Sequence, residues 1–332
     1  MICLESVFRN DYPHYKVVVC DNGSKDNSLS YIKSWADGML DAFSTPEFHL
    51  RNYMFPPVPK PIKFKDYNKS AAEMGGDIGD KESKLILIQT DDNLGFAGGN
   101  NVGLRYALSR GDFEYVWLLN NDTIIRPDTL SHLVKRIGKS NDIGMCGSTL
   151  LYYDKQHIIQ AYGGGIYNKW FGFSRHIGAF NDFNKPIDQK SVETKMDYVV
   201  GSSMIIPKKF LEDVGLMSEE YFLYFEEIDW ATRAKKNYTL AYAPESIVYH
   251  KEGISSGAGN NPKQKSAYSD YFFIRSRLLY TRKFYPFVLP TVYLGLLLTI
   301  FNRIVRRQYK RVVMIIKIIF NRDYKINSLK KY

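Results

Sequence analysis

The chain is 332 residues long, 45% hydrophobic and 24% charged, which is enough to bury one large core or two modest ones and excludes a disordered chain. Its formal charge of +10 is unevenly placed, because residues 303–332 hold ten Lys/Arg against one Asp and leave the body close to neutral. A near-neutral body excludes broad electrostatic binding of nucleic acid, whereas a basic tail suits an anionic surface.

The first residues, Met1 to Ser6, have neither the basic region nor the apolar run of a secretory leader, so a cytoplasmic protein is expected. Cys3, Cys20 and Cys146 show no CxxC or zinc spacing and read as free thiols of a reducing compartment. Leu4, Val7 and Phe8 have helix spacing, and Tyr12-Pro13 closes that helix. Val17-Val18-Val19-Cys20 reads as a strand ending in Asp21-Asn22-Gly23-Ser24, with a helix starting near Ser28. Residues 44–83 carry Pro46, Pro56, Pro57, Pro59 and Pro61, then Gly75, Gly76 and Gly79, and read as a flexible insertion. Leu85-Ile86-Leu87-Ile88 is a buried strand leading to a Gly-rich run, after which Val102 to Leu108 looks helical. Tyr115-Val116-Trp117-Leu118-Leu119 is another, running into Asn120-Asn121-Asp122-Thr123. Strands alternating with helices at this spacing predict a doubly wound α/β sheet.

Residues 145–207, with Gly163-Gly164-Gly165 and many aromatics, predict short strands and loops on the substrate side. Met204 to Pro207 reads as a strand before a helix at 208–214, Tyr221 to Lys236 as a helix, and Ser246 to Tyr249 as a strand ending in His250. Residues 284–302 are nearly all apolar, but Pro286 and Pro290 leave a clean run, Thr291 to Phe301, too short to span a bilayer. With the apolar patch Val312 to Phe320 and the surrounding Lys/Arg, the tail predicts interfacial attachment to an anionic membrane surface.

Chemistry gathers where strands end. In α/β sheets ligands bind outside the carboxyl ends of strands. Asp122 and Asn120 offer hard oxygen ligands for a divalent cation, although the same residues would also make a plain Asn/Asp turn. Asp21 and Asn22 can accept from a base or ribose, and the glycines between Asn93 and Asn101 let backbone amides approach phosphates. His250 is a further ligand candidate or a surface residue. Phe225-Glu226-Glu227-Ile228-Asp229-Trp230 places three carboxylates among aromatics, as a general base needs, or as acids at a helix start.

Taken in order, these clusters resemble the inverting family 2 glycosyltransferases. The residues that carry the resemblance are Val18 to Ser24, Asn93-Leu94-Gly95-Phe96-Ala97-Gly98-Gly99-Asn100-Asn101-Val102-Gly103, Leu118 to Thr123, Gly201-Ser202-Ser203-Met204, Tyr224 to Trp230 with Arg233, and His250. The Gly-rich run is most like that of bacterial rhamnosyltransferases of cell-surface polysaccharide synthesis. The resemblance implies a GT-A fold, a mixed, mostly parallel sheet flanked by helices, over residues 1–283, with a basic helical membrane-associating tail at 284–332. The family's opening strand, with its Thr-Tyr-Asn-like turn, has no counterpart in this sequence. The implied roles are nucleotide contacts from Asp21, Asn22, Asn93, Gly95 and Asn100, and metal ligation (Mn²⁺ or Mg²⁺) by Asp122, Asn120 and His250. Glu227 stands where the family's catalytic base does, with Glu226 and Asp229 as alternatives. The implied reaction moves a sugar, rhamnose from dTDP-rhamnose or galactofuranose or another hexose, from a nucleotide-sugar donor to a lipid-linked or polysaccharide acceptor. It would take place on the inner face of the cell membrane. An inactive relative acting as a binding subunit is the competing expectation.

Overall fold

The computed structural model describes residues 1–42, 45–251 and 266–320. Arg322, Lys325, Lys330 and Lys331 of the basic tail lie outside the described residues.

The amino-terminal half runs α1 (Ile2–Val7), β1 (Val17–Asp21), α2 (Ser28–Ala36), β2 (Phe64–Asn68), α3 (Lys69–Glu73), β3 (Leu85–Gln89) and α4 (Gly95–Arg110). β3 lies between β1 and β2 and is parallel to both, with Leu85 opposite Val17 on one side and Phe64 on the other. Leu85 to Ile88 are at most 1% exposed, as expected for a strand covered on both faces. The segment 44–83 is not the loop its composition implies, because it supplies the edge strand β2 and helix α3. Backbone pairing to β3 holds β2, whose Lys65 and Asp66 stay exposed, so side-chain alternation hardly marks it. Buried Glu5 ties this segment to the amino-terminal helices. Its carboxylate accepts from Trp35 Nε1 at 2.7 Å, the Val58 amide at 2.9 Å and Lys60 Nζ at 2.9 Å.

The second half begins with β4 (Tyr115–Leu119), β5 (Thr123–Ile125), α5 (Thr129–Ile137), β6 (Ile143–Tyr152), β7 (Ile159–Tyr162), β8 (Gly164–Asn168) and β9 (Phe173–His176). It continues with α6 (Gln189–Lys195), β10 (Tyr198–Val199), β11 (Ser203–Pro207), α7 (Lys208–Val214), α8 (Glu226–Ala234) and β12 (Thr239–His250). A six-stranded mixed sheet has the order β4-β11-β6-β12-β5, with β7 on β6, and β10-β8-β9 form a small antiparallel sheet. The α/β character expected from the sequence is present. Parallel pairing is concentrated in the amino-terminal half, and most pairs of the second half are antiparallel. Among the described residues, β1 pairs only with β3 and β4 only with β11.

The carboxy-terminal helices are α9 (Ala267–Phe284), α10 (Leu289–Val305) and α11 (Tyr309–Ile319). Tyr280 of α9 enters the main core, whereas Ile274 and Leu278 pack with Val292 and Leu296 of α10 and Met314 and Ile315 of α11. Asp270 of α9 accepts from Arg303 at 2.6 Å and Arg311 at 2.5 Å, pinning both tail helices. A 3₁₀ turn, Pro286–Val288, leads directly into α10, and together Pro286–Val305 make 20 helical residues, long enough by length and composition to cross a membrane. That exceeds the clean run expected, because Pro286 and Pro290 both stand in first-turn positions where proline is tolerated. The expected boundary at 283–284 falls at the end of α9.

Candidate active site

The loops after β1, β3 and β4 and the end of β12 carry the polar clusters. After β1, the Asn22 carboxamide joins two loops: its Nδ2 donates to Gly95 O at 2.8 Å and its Oδ1 accepts from the Leu94 amide at 2.9 Å. Asn93 Oδ1 accepts from the Gly95 amide at 3.0 Å. Gly95 has φ +75°, and a Cβ there would lie 2.2 Å from Phe222 O. Only glycine lets the start of α4 meet the segment ahead of α8 this closely. Asp21 is partly exposed at the end of β1, and its carbonyl accepts from the Thr90 amide at 2.9 Å. Asn100 turns its amide back to Phe96 O at 2.9 Å, within its own helix. Asp21, Asn22, Asn93 and Gly95 therefore sit on two linked loops, with Asn100 on the helix that follows.

Asp122 lies in the tight turn from β4 to β5, and the short pairing of β5 with β12 sets Thr123 opposite His250. The Lys251 amide donates to Asp122 O at 2.9 Å, which fixes the turn. His250 Nδ1 lies 2.7 Å from Gln160 Oε1, which orients the ring so that Nε2 faces Asp122. Nε2 stands 3.2 Å from Asp122 Oδ1, a buried oxygen with no other polar partner among the described residues. A carboxylate oxygen and an imidazole nitrogen this close can pair directly or share a cation, with the imidazole oriented by Gln160. The donor set, one carboxylate oxygen and one imidazole, fits Mn²⁺ or Mg²⁺ and leaves most coordination positions open. Among the described residues no group of three or more His, Cys, Asp or Glu side chains forms a complete cage. Asn120 precedes this turn, and its amide donates to Ser202 O at 3.0 Å.

The carboxylates of α8 fall into three environments. The expected helix from Tyr221 starts only at Glu226, because Tyr224 and Phe225 take left-handed φ values of 68° and 75°. Phe222 O accepts from the Phe96 amide at 2.9 Å, so it is not free for the helical bond to Glu226. Two consecutive bulky residues with positive φ are a costly conformation, of the kind that collects at working sites. Glu227 is partly buried and packs on Gly201, where a Cβ would come 2.4 Å from its Oε1 and 3.0 Å from the ring of Phe96. Burial raises its carboxyl above the ordinary range, and a backbone hydrogen bond from Gly201 moderates the rise. Glu226 is 2% exposed, and its Oε2 has no partner. Burial, then the charge of Glu227, hold its carboxyl well above the ordinary range.

Asp229 is different. Its carboxylate accepts from Arg233 Nε at 2.7 Å, Lys283 Nζ at 2.8 Å and Tyr221 Oη at 3.1 Å. Buried and paired with two cations, it ties α8 to α9 and is closed to a reacting hydroxyl. Asp229→Ala is expected to remove about 1–3 kcal/mol of stability through the lost hydrogen bonds of a buried carboxylate to Arg233, Lys283 and Tyr221, read as a lowered denaturant midpoint.

The Gly201-Ser202 loop connects these parts: Gly201 faces Glu227, Ser202 O holds Asn120, and Ser203 pairs with Leu119 of β4. Ser202 Oγ is buried with no partner. Sequence reasoning gave no role to Ser202, Gln160 or Phe96. Gln160 is 90 residues from His250, and β6, paired with β7 on one side and β12 on the other, brings them together.

A model of glycosyl transferase family 2 matches residues 2–50 and 65–215, more than half of the chain. The chain is 24% identical over 197 residues to the low-salt glycan biosynthesis hexosyltransferase Agl10 of Haloferax volcanii, covering 59% of each. It is 26% identical over 204 residues to the dTDP-rhamnosyl transferase RfbF of Shigella flexneri, covering 60% of this chain and 64% of that one. The matches thus span about three fifths of these relatives' length. A solved mannosyltransferase of Pyrobaculum calidifontis, in complex with GDP-Man and Mn²⁺, aligns over 97% of this chain and 83% of its own at 15% identity, with a TM-score of 0.49.

Proposed function

Since this chain belongs to glycosyl transferase family 2, we propose that it transfers a hexose, rhamnose from dTDP-rhamnose foremost, to a hydroxyl of a lipid-linked glycan with inversion. The observation that carries the reading is the single Gly201-Ser202 loop that links Glu227 to the turn holding Asp122, opposite His250. Asp21, Asn22, Asn93, Gly95 and Asn100 bind the nucleotide at the linked loops after β1 and β3. Glu227 removes the proton of the acceptor hydroxyl. That oxygen forms a bond to the anomeric carbon from the face opposite the diphosphate, whose C–O bond breaks, and the proton stays on Glu227. Asp122 and His250 would hold Mn²⁺ or Mg²⁺, with Asn120 as a weaker contact. A divalent cation, when bound, supplies charge neutralisation for the leaving diphosphate. The rise in the Glu227 carboxyl suits a base that is partly desolvated and must be ionised to work.

The relative named a dTDP-rhamnosyl transferase supports rhamnose, and the one named a hexosyltransferase supports the wider class, including galactofuranose. The enzyme sits on the inner face of the cell membrane through α10 and α11. Leu294, Leu298 and Phe301 of α10 are 57%, 62% and 63% exposed, and Arg306, Arg307 and Lys310 beside them are also exposed. An apolar stripe bordered by cations matches an anionic bilayer surface. Purified protein given Mn²⁺, a glycolipid acceptor extract and a panel of nucleotide sugars is expected to release dTDP from dTDP-rhamnose and extend the acceptor, as read by mass spectrometry. Turnover of another donor instead would move the assignment within the class. Folded protein that binds donors and turns over none would favour a binding subunit.

A further inference from the structure

The β8–β9 hairpin ends in a cluster that the transfer reaction does not use. Trp170, Phe171 and Phe173 are 50%, 47% and 46% exposed. Exposed large aromatics bunched at one loop tip mark a contact surface. The tip is held against the tail helices and does not stand free. Trp170 packs edge-on against Phe287, 65% exposed, with ring centroids 6.3 Å apart. Thr291 Oγ1 donates to Trp170 O, and Arg277 Nη2 of α9 donates to Phe171 O. Gly172 and Gly295 give the Arg277 side chain its place, since a Cβ on either would come within 2.8 Å and 3.1 Å of the guanidinium. The aromatic tip therefore continues the apolar stripe of α10. Lys169 and Arg175 are exposed beside it, as Arg306, Arg307 and Lys310 are at the other end.

We propose that the β8–β9 tip is a second lipid-inserting element, so that catalytic domain and tail dock together on an anionic bilayer. The proposal rests on the membrane reading above. Charge complementarity selects this partner: a second copy would bring the same cations face to face, whereas anionic headgroups neutralise them. Trp and Phe beside Lys and Arg also match the amphipathic composition of a membrane interface. The docking would be connected to the chemistry through one strand. β8 runs from Asn168 at the tip to Gly164, which pairs with Val199, two residues before the Gly201 that faces Glu227.

The test uses the full chain and vesicles of phosphatidylglycerol and phosphatidylcholine with brominated acyl chains. Trp35 and Trp230 are fully buried and Trp117 is half-buried in β4, which leaves Trp170 as the exposed tryptophan, and the difference between wild type and Trp170→Phe isolates its quenching. Wild-type emission is expected to be quenched, and Trp170→Phe to lose most of that quenching while still sedimenting with vesicles. Joint replacement of Trp170, Phe171 and Phe173 by Ser should weaken vesicle binding at least about tenfold, from lost apolar burial. Wild-type protein that sediments with vesicles but shows no Trp170-dependent quenching would overturn the proposal and leave the membrane reading standing. Failure of wild-type protein to bind vesicles at all would overturn both. A lipid-free dimer that the triple substitution converts to monomer would assign the tip to self-association.

Discussion

Glu227→Gln is expected to lower kcat for sugar transfer by about a thousandfold, within the range general bases contribute, with little change in KM for the donor. The amide keeps the shape of the side chain and its seat on Gly201, so the loss reports proton removal and not misfolding. The pH dependence has a definite sign. Burial raises the Glu227 carboxyl, and only the ionised form takes a proton. The rate should therefore fall as pH drops through a value above the ordinary carboxylate range. Glu226 is held well above the ordinary range by burial and then by the charge of Glu227, so Glu227 ionises first, and Glu226→Gln should leave that acid limb and most of kcat at neutral pH in place. The stability effect runs the other way from a salt-bridged acid. A carboxyl raised by burial binds protons more tightly folded than unfolded, so its cost is absent below the unfolded pKa and develops as pH rises from there toward the raised value. Glu226→Gln should accordingly raise the melting temperature at pH 8 and leave it nearly unchanged at pH 4.

Asp122→Ala is expected to cost about a thousandfold in transfer, the several kcal/mol that charge neutralisation at a leaving group supplies, and to abolish Mn²⁺ binding by calorimetry. The partner oxygen of His250 disappears with it, and a lone imidazole is a poor site for a hard cation. His250→Ala should lose most of the affinity as well. Asn120→Ala should lose under about tenfold, since a neutral amide contributes less than a carboxylate or imidazole ligand. Gln160→Leu should weaken Mn²⁺ binding about tenfold or more by freeing the His250 ring, as removal of a ligand's orienting partner does. Equal losses from Asn120→Ala and Asp122→Ala would reassign the ligands.

The strand-to-loop junctions were legible because a buried strand that ends in Asn and Asp has no apolar reason to do so. Asp21, Asn93 and Asp122 all stand at such ends. Asp229 was not legible as a structural tie: its partner Lys283 is 54 residues away on α9, and three adjacent acids look alike until the helix sorts their faces. β2 escaped notice because an edge strand is held by backbone hydrogen bonds, and FKDYN shows no clean alternation. The start of α8 was misplaced because the contact that unwinds Tyr224 and Phe225 is made by Phe96, more than a hundred residues earlier. Exposed Trp170 carried no periodic signal at all. It acquires meaning only beside Phe287 and the stripe of α10.

Anomalous diffraction from crystals grown with Mn²⁺ and the nucleoside diphosphate tests the assignment of this site most directly. A single manganese peak within about 2.5 Å of both Asp122 Oδ1 and His250 Nε2 is expected, with the diphosphate on it and Glu227 facing the open side. A peak away from this pair, or nucleotide bound with neither residue near its phosphates, would contradict it.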